Sequence, residues 1–545
     1  MSGITIHSHG SGLDLAAAST AKSKRAWFCW LLYLLSGAAV LSPLLWAKVP
    51  PLVDYPNHLA RMWIPVHRGD IAELAQNYVL HWRILPDLAM DCVVPALSQL
   101  MPVLEAGRLF IALTMAGLVA GTITLHRVLH GRFAIWPILS VLFVFNAVLF
   151  WGFLSCLFAS AVYFFAFSGW IASRAWRPLP RLLLFAAVGA VLFLLHAFAF
   201  GLYGLSVASY ELGRRLQGRR LPLASLVSYA VVCLHFIPGL LLWYVSLGNV
   251  RSAYTAYGDL SPKVYALMAP ATFGAYAEAL DRTIWLLVGI GLLFALSRRA
   301  LKIVPEMRLP LAAMAVVAVL MPNWVNGSWG ADFRLPVILP FLLIASTRLE
   351  IASKQLVHVM AVIATVLFGL RIVAVSQSWQ EYDRRFGEFR RASAVIPAGS
   401  RLLVVQTPVG DETPSLPGVS RLLASLQPGV FHHVGALAVI DRSAFFPYLF
   451  TQAATIDVAP RNKGIAQTSA EPVTPADLAL AADPARAQFL DQRADVYGQL
   501  PYWRHWPQSF DYVLWIDFGA RPKPYLDQLI SVHAGSFFEI YRIQR

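Results

Sequence analysis

The residues best placed to do chemistry lie early in the chain, in PLVDYPNHLARMW (51–63). Asp54 can act as a general base, His58 and Arg61 can orient or neutralise a phosphate, and the Tyr55 ring can stack on a sugar. The same stretch also reads as a helix start, with Asp54 and Asn57 capping a short helix that begins near Pro56, and the two readings are compatible. Further on, ILPDLAMDCVVPALSQL (84–100) places Leu85, Leu88, Ala89, Cys92, Val93 and Ala96 on one helical face and Asp87 and Asp91, four apart, on another. Paired carboxylates can bind a divalent metal or a sugar hydroxyl; the plainer reading is acids facing water near a helix N-terminus. No other cofactor is implied.

Three more groups are of interest. His196 is either a lining residue or a hydrogen-bonded turn histidine. RSAYTAYGDLSPKVYALMAP (251–270) carries Tyr254, Tyr257, Tyr265 and Lys263, a mix that suits a loop closing on a sugar or an aromatic belt at a membrane surface. PNWVNGSWGADFR (322–334) is short, polar and aromatic, and ends with Asp332 and Arg334. Glu278 and Asp281 take no role in this reading. The cysteines are neutral evidence: Cys29, Cys156 and Cys233 lie in apolar runs, Cys92 in an amphipathic stretch, and no CxxC pair occurs.

These residues must be positioned by membrane helices. The 545-residue chain is 57% hydrophobic and only 14% charged, with a mean hydropathy of +0.58, outside the usual range of soluble domains. Its net charge of +14 falls in short clusters beside apolar runs, where cytoplasmic loops carry it, and no phosphate loop or base-reading helix accompanies it. Nucleic acid is therefore excluded as a partner. Spans are expected at about 26–46, 108–129, 133–151, 153–172, 223–247, 283–297, 310–322, 335–348 and 355–376. The stretch from Leu182 to Tyr210 is long enough for one tilted helix, but Arg174, Arg177 and Arg181 precede it and Arg214, Arg215, Arg219 and Arg220 follow it. Keeping both clusters on one side requires a hairpin that turns near His196. The count is then about eleven spans. Lys22, Lys24 and Arg25 hold the N-terminus in the cytoplasm, and the first span is retained rather than cleaved.

The expected organisation is a mainly α polytopic membrane protein with a C-terminal extracytoplasmic α/β domain. Residues 1–25 form a cytoplasmic tail, 26–376 the transmembrane domain with outer loops at about 48–107, 248–282 and 322–334, and 377–545 the outer domain. Arg384, Arg385, Arg390 and Arg391 stud an amphipathic helix leading out of the last span. RLLVVQTP (401–408) and DYVLWIDF (511–518) read as strands, 455–485 as mostly loop, PYLDQLISV (524–532) as a helix and SFFEIYRI (536–543) as a final strand. With no strong nucleophile–base pair or metal spacing, this outer domain is expected to tune acceptor choice and to hold no catalytic centre.

The order of motifs resembles the GT-C superfamily of integral-membrane glycosyltransferases, which includes lipid-A aminoarabinose transferases and protein mannosyltransferases. An acidic motif follows the first helix, as in VDYPNHLAR (53–61). A Pro-led interfacial helix, a short connector and an Arg-started span come next, as in PDLAMDCVVPALSQLMPVLEAGRLFIAL (86–113), and a late Arg opens a Pro-containing span, as in DFRLPVILPFLLIAS (332–346). The resemblance covers roughly 26–376. It implies transfer of a sugar from a polyprenyl-phosphate carrier to a hydroxyl of a cell-envelope glycan, lipid or protein, at the outer face of a bacterial inner membrane. It makes Asp54 the base and Arg334 the fork-shaped phosphate ligand, with Tyr55, His58, Arg61, Asp91, His196 and Asp332 binding substrate. Arg334 otherwise snorkels to the interface or pairs with Asp332. One departure stands out: many members carry a second acid in the outer loop between the third and fourth helices, where FNAVLFWGFLSCLF (145–158) offers Asn146 and Ser155 but no carboxylate. The rival readings are a non-catalytic membrane scaffold and a lipid or solute transporter.

Overall fold

A backbone that crosses hydrocarbon must satisfy its own hydrogen bonds, so long apolar runs become helices. The computed structural model describes residues 11–217, 223–248, 255–258, 260–274, 278–407, 428–451, 455–466, 473–492, 500–517 and 525–545. Tyr254, Arg219, Arg220, Pro408, Phe518 and Pro524 lie outside these residues.

The fold is mainly helical. Helix α1 (Ser11–Leu41) leads to α2 (Tyr55–His67) and α3 (Ala89–Leu97), both short and amphipathic. Then come α4 (Val103–His130), α5 (Ala147–Trp151), α6 (Leu154–Ala172), α7 (Pro178–Leu195) and α8 (Ala197–Leu216). Later helices are α9 (Glu278–Ser297), α10 (Ala331–Ser346), α11 (Lys354–Ala392) and the short α12 (Leu437–Arg442). Among the described residues, seven helices are long and apolar enough to cross a membrane: Ala26–Leu45, Val103–His130, Leu154–Ala175, Pro178–Leu195, Leu223–Leu247, Glu278–Ser297 and Lys354–Val395.

Four of the eleven expected segments are not among these seven. Residues 133–151 split into a 3-10 stretch (Trp136–Phe143) and α5, and 310–322 and 335–348 are the short helices Arg308–Leu320 and α10. The second arm of the expected hairpin, α8, ends in Glu211, Arg214 and Arg215. Two of these segments, α10 and α8, are largely buried against neighbouring helices, so protein contacts stand in for a long apolar exterior. The hairpin itself is present. His196 breaks the helix with an extended backbone (φ −172°, ψ 126°), and α7 packs on α8.

Helices α4 and α6 pack closely against each other. Gly117 and Gly121, four apart on α4, face Ala161 and Phe164; a Cβ at position 121 would fall 2.7 Å from the Phe164 Cβ. Small residues at this spacing let two backbones approach in a membrane.

The C-terminal part holds a mixed sheet. Strand β1 (Tyr78–Leu80) belongs to the loop after α1, whereas β2 (Leu402–Gln406), β3 (Ile456–Val458), β4 (Tyr512–Ile516), β5 (Leu529–Ala534) and β6 (Phe538–Ile543) come late. The four-stranded sheet has the order β2-β4-β6-β5, with β2 parallel to β4 and the other pairs antiparallel. Both β2 and β4 are buried along their whole length, which explains their uninterrupted apolar sequence. The helix expected over 524–532 is absent from the described residues: 529–534 pair with β6 as strand β5, with Ile530 opposite Arg542, Ser531 opposite Tyr541 and Val532 left over at a bulge. The 455–485 stretch is also more ordered than expected. It contains β3 and the helix Pro475–Ala482, started by a Thr474–Asp477 capping box. Strands β1 and β3 pair antiparallel, so the first loop and the C-terminal part are joined by a backbone ladder.

Candidate active site

The backbone before α2 is anchored to the corner between α5 and α6. Val53 N–H donates to the Phe150 carbonyl (2.9 Å) and Asp54 N–H to the Trp151 carbonyl (3.1 Å). Gly152 turns that corner at φ +86°, and a Cβ there would lie 3.0 Å from Asp54 N and 3.1 Å from its Cβ. Only glycine allows this approach. Asp54 occupies the N-cap position of α2, yet its side chain makes no capping hydrogen bond. The carboxylate instead faces His433: Oδ1 lies 3.3 Å from Nε2, with the Asp54 side chain 17% exposed and that of His433 4%.

Asn57 fixes the histidine from the other side. Its Oδ1 accepts from Phe450 N–H (2.9 Å), so its Nδ2 is the end that donates, to the Tyr448 carbonyl (2.7 Å) and to His433 Nδ1 (3.0 Å). A ring nitrogen that accepts at Nδ1 carries its proton on Nε2, which is the atom aimed at Asp54. The C-terminal part thus reaches the Asp54 corner through His433. The sequence reading overlooked His433, although the doublet His432–His433 in the otherwise apolar VFHHVG (430–435) was a signal. The neighbouring His432 ring is pushed down to about 3 by burial and then by His433.

One turn along α2, His58 is partly buried, its ring edge against Phe450, and its Nδ1 has no hydrogen-bond partner among the described residues. Burial, then the charges of Arg61 and His433, holds it well below the usual histidine range. Arg61 and Asp91 form a buried ion pair at 2.7 Å, and Thr455 Oγ1 donates to the other Asp91 oxygen (3.1 Å). These two residues tie α2 to α3 and to the C-terminal part. Tyr55 is fully buried, with its hydroxyl close to Gly107 of α4.

Asp87 and Asp91 do not share a helical face, because α3 begins only at Ala89. Asp87 precedes it in the left-handed region (φ +86°). Its carboxyl lies beside Ser155, and burial pushes it up to about 6 against the opposing pull of Arg61 and Arg334. The loop holding it is pinned by Leu88 N–H on the Leu194 carbonyl (2.9 Å). That carbonyl is two residues before His196, whose Nδ1 caps α8 by accepting from Phe198 N–H (3.1 Å). Burial, then Arg334, holds the His196 ring down to about 3.

Arg334 lies one helical turn into α10. Its Nη2 donates to Ser328 Oγ (2.9 Å) and the Trp329 carbonyl (3.0 Å), and its guanidinium stacks 4.8 Å over the Phe153 ring. Its Nε is buried without a hydrogen-bond partner, and no carboxylate forms a salt bridge with it among the described residues. Asp332 is not its partner. That carboxylate is fully buried, accepts from Asn323 (2.9 Å) and faces Lys263 Nζ at 3.6 Å. In the second outer loop, Tyr265 receives Trp151 Nε1–H (3.1 Å) while Tyr257 is exposed. Asp281 pairs with the buried Arg371 of α11.

Asp54 and Arg334 thus flank one corner, Trp151–Gly152–Phe153: the first is bonded to the Trp151 carbonyl, the second stacked on the Phe153 ring. Trp329 closes the same wall, 4.8 Å from Trp151 centroid to centroid. Among the described residues, no group of three or more His, Cys, Asp or Glu side chains is arranged to hold a metal ion.

No family model matches the chain, and no curated protein does either. Among solved structures it is similar to ArnT from Cupriavidus metallidurans bound to undecaprenyl phosphate, at 13% identity and a TM-score of 0.47, over 95% of this chain and 98% of that one.

Proposed function

We propose that this protein is a membrane glycosyltransferase that moves a sugar from a polyprenyl-phosphate carrier to an acceptor hydroxyl, with Asp54 as the general base. The observation that carries the reading is that the Asp54 carboxylate, free of capping duty, shares one corner of the fold with Arg334, a guanidinium without a carboxylate partner among the described residues. Asp54 takes the proton of the acceptor hydroxyl as its oxygen bonds to the anomeric carbon, and the bond from that carbon to the phosphate oxygen breaks. The electron pair leaves with the phosphate, where Arg334 donates to the growing charge. His433 touches the base and not the substrate; its Nε2–H holds the carboxylate in one orientation. Asp87, beside Ser155, supplies from the first loop a second carboxylate where 145–158 has none. In this reading the N-terminus is cytoplasmic and the site opens on the outer face of a bacterial inner membrane, where the sugar acceptor is a cell-envelope glycan, lipid or protein.

The test is Asp54→Asn. Asn matches Asp in size and no capping bond is lost, so the fold is kept while the base is removed, and transfer should fall by roughly 10²–10⁴. It is measured as release of polyprenyl phosphate from a panel of polyprenyl-phosphate sugars in membranes of matched protein abundance. Undiminished release would remove the assignment and favour a scaffold in which the Asp54–His433 contact only locks the first loop to the C-terminal part.

A further inference from the structure

A cavity of about 500 Å³ lies away from the Asp54 corner, between the chain just after the first span, the far end of α11 and the end of α12. Five cationic side chains line it against two carboxylates, an excess of three positive charges. The acids are already engaged. Asp383 accepts the backbone N–H groups of Lys48 (2.6 Å) and Val49 (3.3 Å), and Asp441 accepts both arms of Arg390 (2.6 and 2.8 Å). Arg384 is already engaged by two bonds to the Glu381 carboxylate. Lys48, Arg391 and Arg442 remain without a carboxylate partner among the described residues; Arg442 donates only to the Ile396 carbonyl.

Like charges repel, and gathering three of them from three separate chain segments costs energy unless an anion sits between them. The frame that holds them is rigid: Arg390–Asp441 clamps α11 to α12, and the Asp383 carboxylate clamps α11 to the chain after α1. Lys48 stands only three residues beyond Leu45, the end of the first span, so the cavity lies at headgroup level on the side that carries the C-terminal part. Forked Arg donors with a Lys at the rim match a phosphate oxyanion better than a carboxylate-poor sugar face.

We infer that this cavity, walled by Arg390–Asp441 and lined by Lys48, Arg391 and Arg442, is a binding site for a phosphate group carried at the membrane surface. It does not depend on the transfer reaction proposed above. The phosphate belongs either to an anionic lipid headgroup or to a soluble phosphate compound, and both offer the same oxyanion.

The test uses the full chain and the double variant Lys48→Gln/Arg391→Gln. Both side chains are exposed, so the fold is spared. One arm reconstitutes each protein in nanodiscs of phosphatidylcholine with phosphatidylglycerol and counts retained lipids by native mass spectrometry. The other follows the melting temperature of each detergent-solubilised protein as inorganic phosphate is added. The wild type should retain phosphatidylglycerol about tenfold or more above the variant, or show a phosphate-induced rise that the variant lacks. The first result assigns the oxyanion to a headgroup, the second to a soluble phosphate. Equal lipid retention together with equal phosphate response in the two proteins would overturn the inference. Asp54→Asn should behave as wild type in both arms, which separates this site from the transfer chemistry.

Discussion

His433 presents Nε2 to the Asp54 carboxylate at 3.3 Å, although the two residues come from opposite parts of the chain. The buried Asn57 amide stands behind the ring and settles which nitrogen bears the proton. Removing the ring should leave the base in place but loosely aimed. His433→Ala is expected to lower kcat about 10- to 100-fold with little change in KM, and His433→Gln, which can still donate, should recover part of it. A loss confined to KM would mean that His433 contacts substrate rather than orienting Asp54.

The Arg61–Asp91 pair should act as a structural tie. Both side chains are almost fully buried, so Asp91→Asn or Arg61→Met leaves one charge uncompensated and should destabilise the protein by about 3–5 kcal/mol. The double variant Arg61→Met/Asp91→Leu should regain most of that. Thermal unfolding in detergent reads the difference, and equal destabilisation by single and double variants would show that the pair is not coupled.

Asp87 makes a pH-dependent prediction. Its folded carboxyl lies at about 6, above the ordinary 3.8, so the fold prefers the protonated form. The cost of ionising it is absent below about pH 4, accumulates as pH rises from about 4 to 6, and levels off above 6 at up to about 3 kcal/mol. Asp87→Asn keeps a residue type that tolerates φ +86° and removes the charge. Its melting temperature should match wild type near pH 4 and exceed it above pH 6; an offset that ignores pH would refute the account.

Gly152→Ala should injure activity more than stability. The added Cβ meets the Asp54 backbone at 3.0 Å in a left-handed turn, a strain of about 1–3 kcal/mol delivered to the proposed base. Transfer should drop at least tenfold while the protein still accumulates. Wild-type kcat in a stable Gly152→Ala protein would show that the corner does not set the position of Asp54.

The helix start at Asp54 was legible from the Pro-rich turn just past an apolar helix, and the break at His196 was legible because two Arg clusters demand it. His433 was not singled out. Its importance comes from the fold that brings VFHHVG back onto α2, and no local pattern encodes such a long-range contact. The face shared by Asp87 and Asp91 failed because the helix starts two residues later than its periodicity suggested. The strand over 529–534 was missed because PYLDQLISV has good helix formers, and pairing with β6 outweighed them. Short, proline-bearing α10 is apolar in sequence and is packed among protein neighbours, so its apolar run does not by itself tell a span from a buried helix.

The continuity of α11 makes it a lever. Its 39 residues form a rod of about 58 Å whose first half lies among the membrane spans and whose far end is bolted to α12 by Arg390–Asp441. Helices tilt to match the thickness of the bilayer around them, and a tilt of about 10° sweeps the far end of such a rod by about 10 Å. Helix α12 begins four residues after His433. The membrane-embedded half of α11 is thus linked to the His433 side of the site through one ion pair and one short helix, and to the Asp54 side through the Asp383 clamp, so lipid composition becomes a variable to control when the site is assayed.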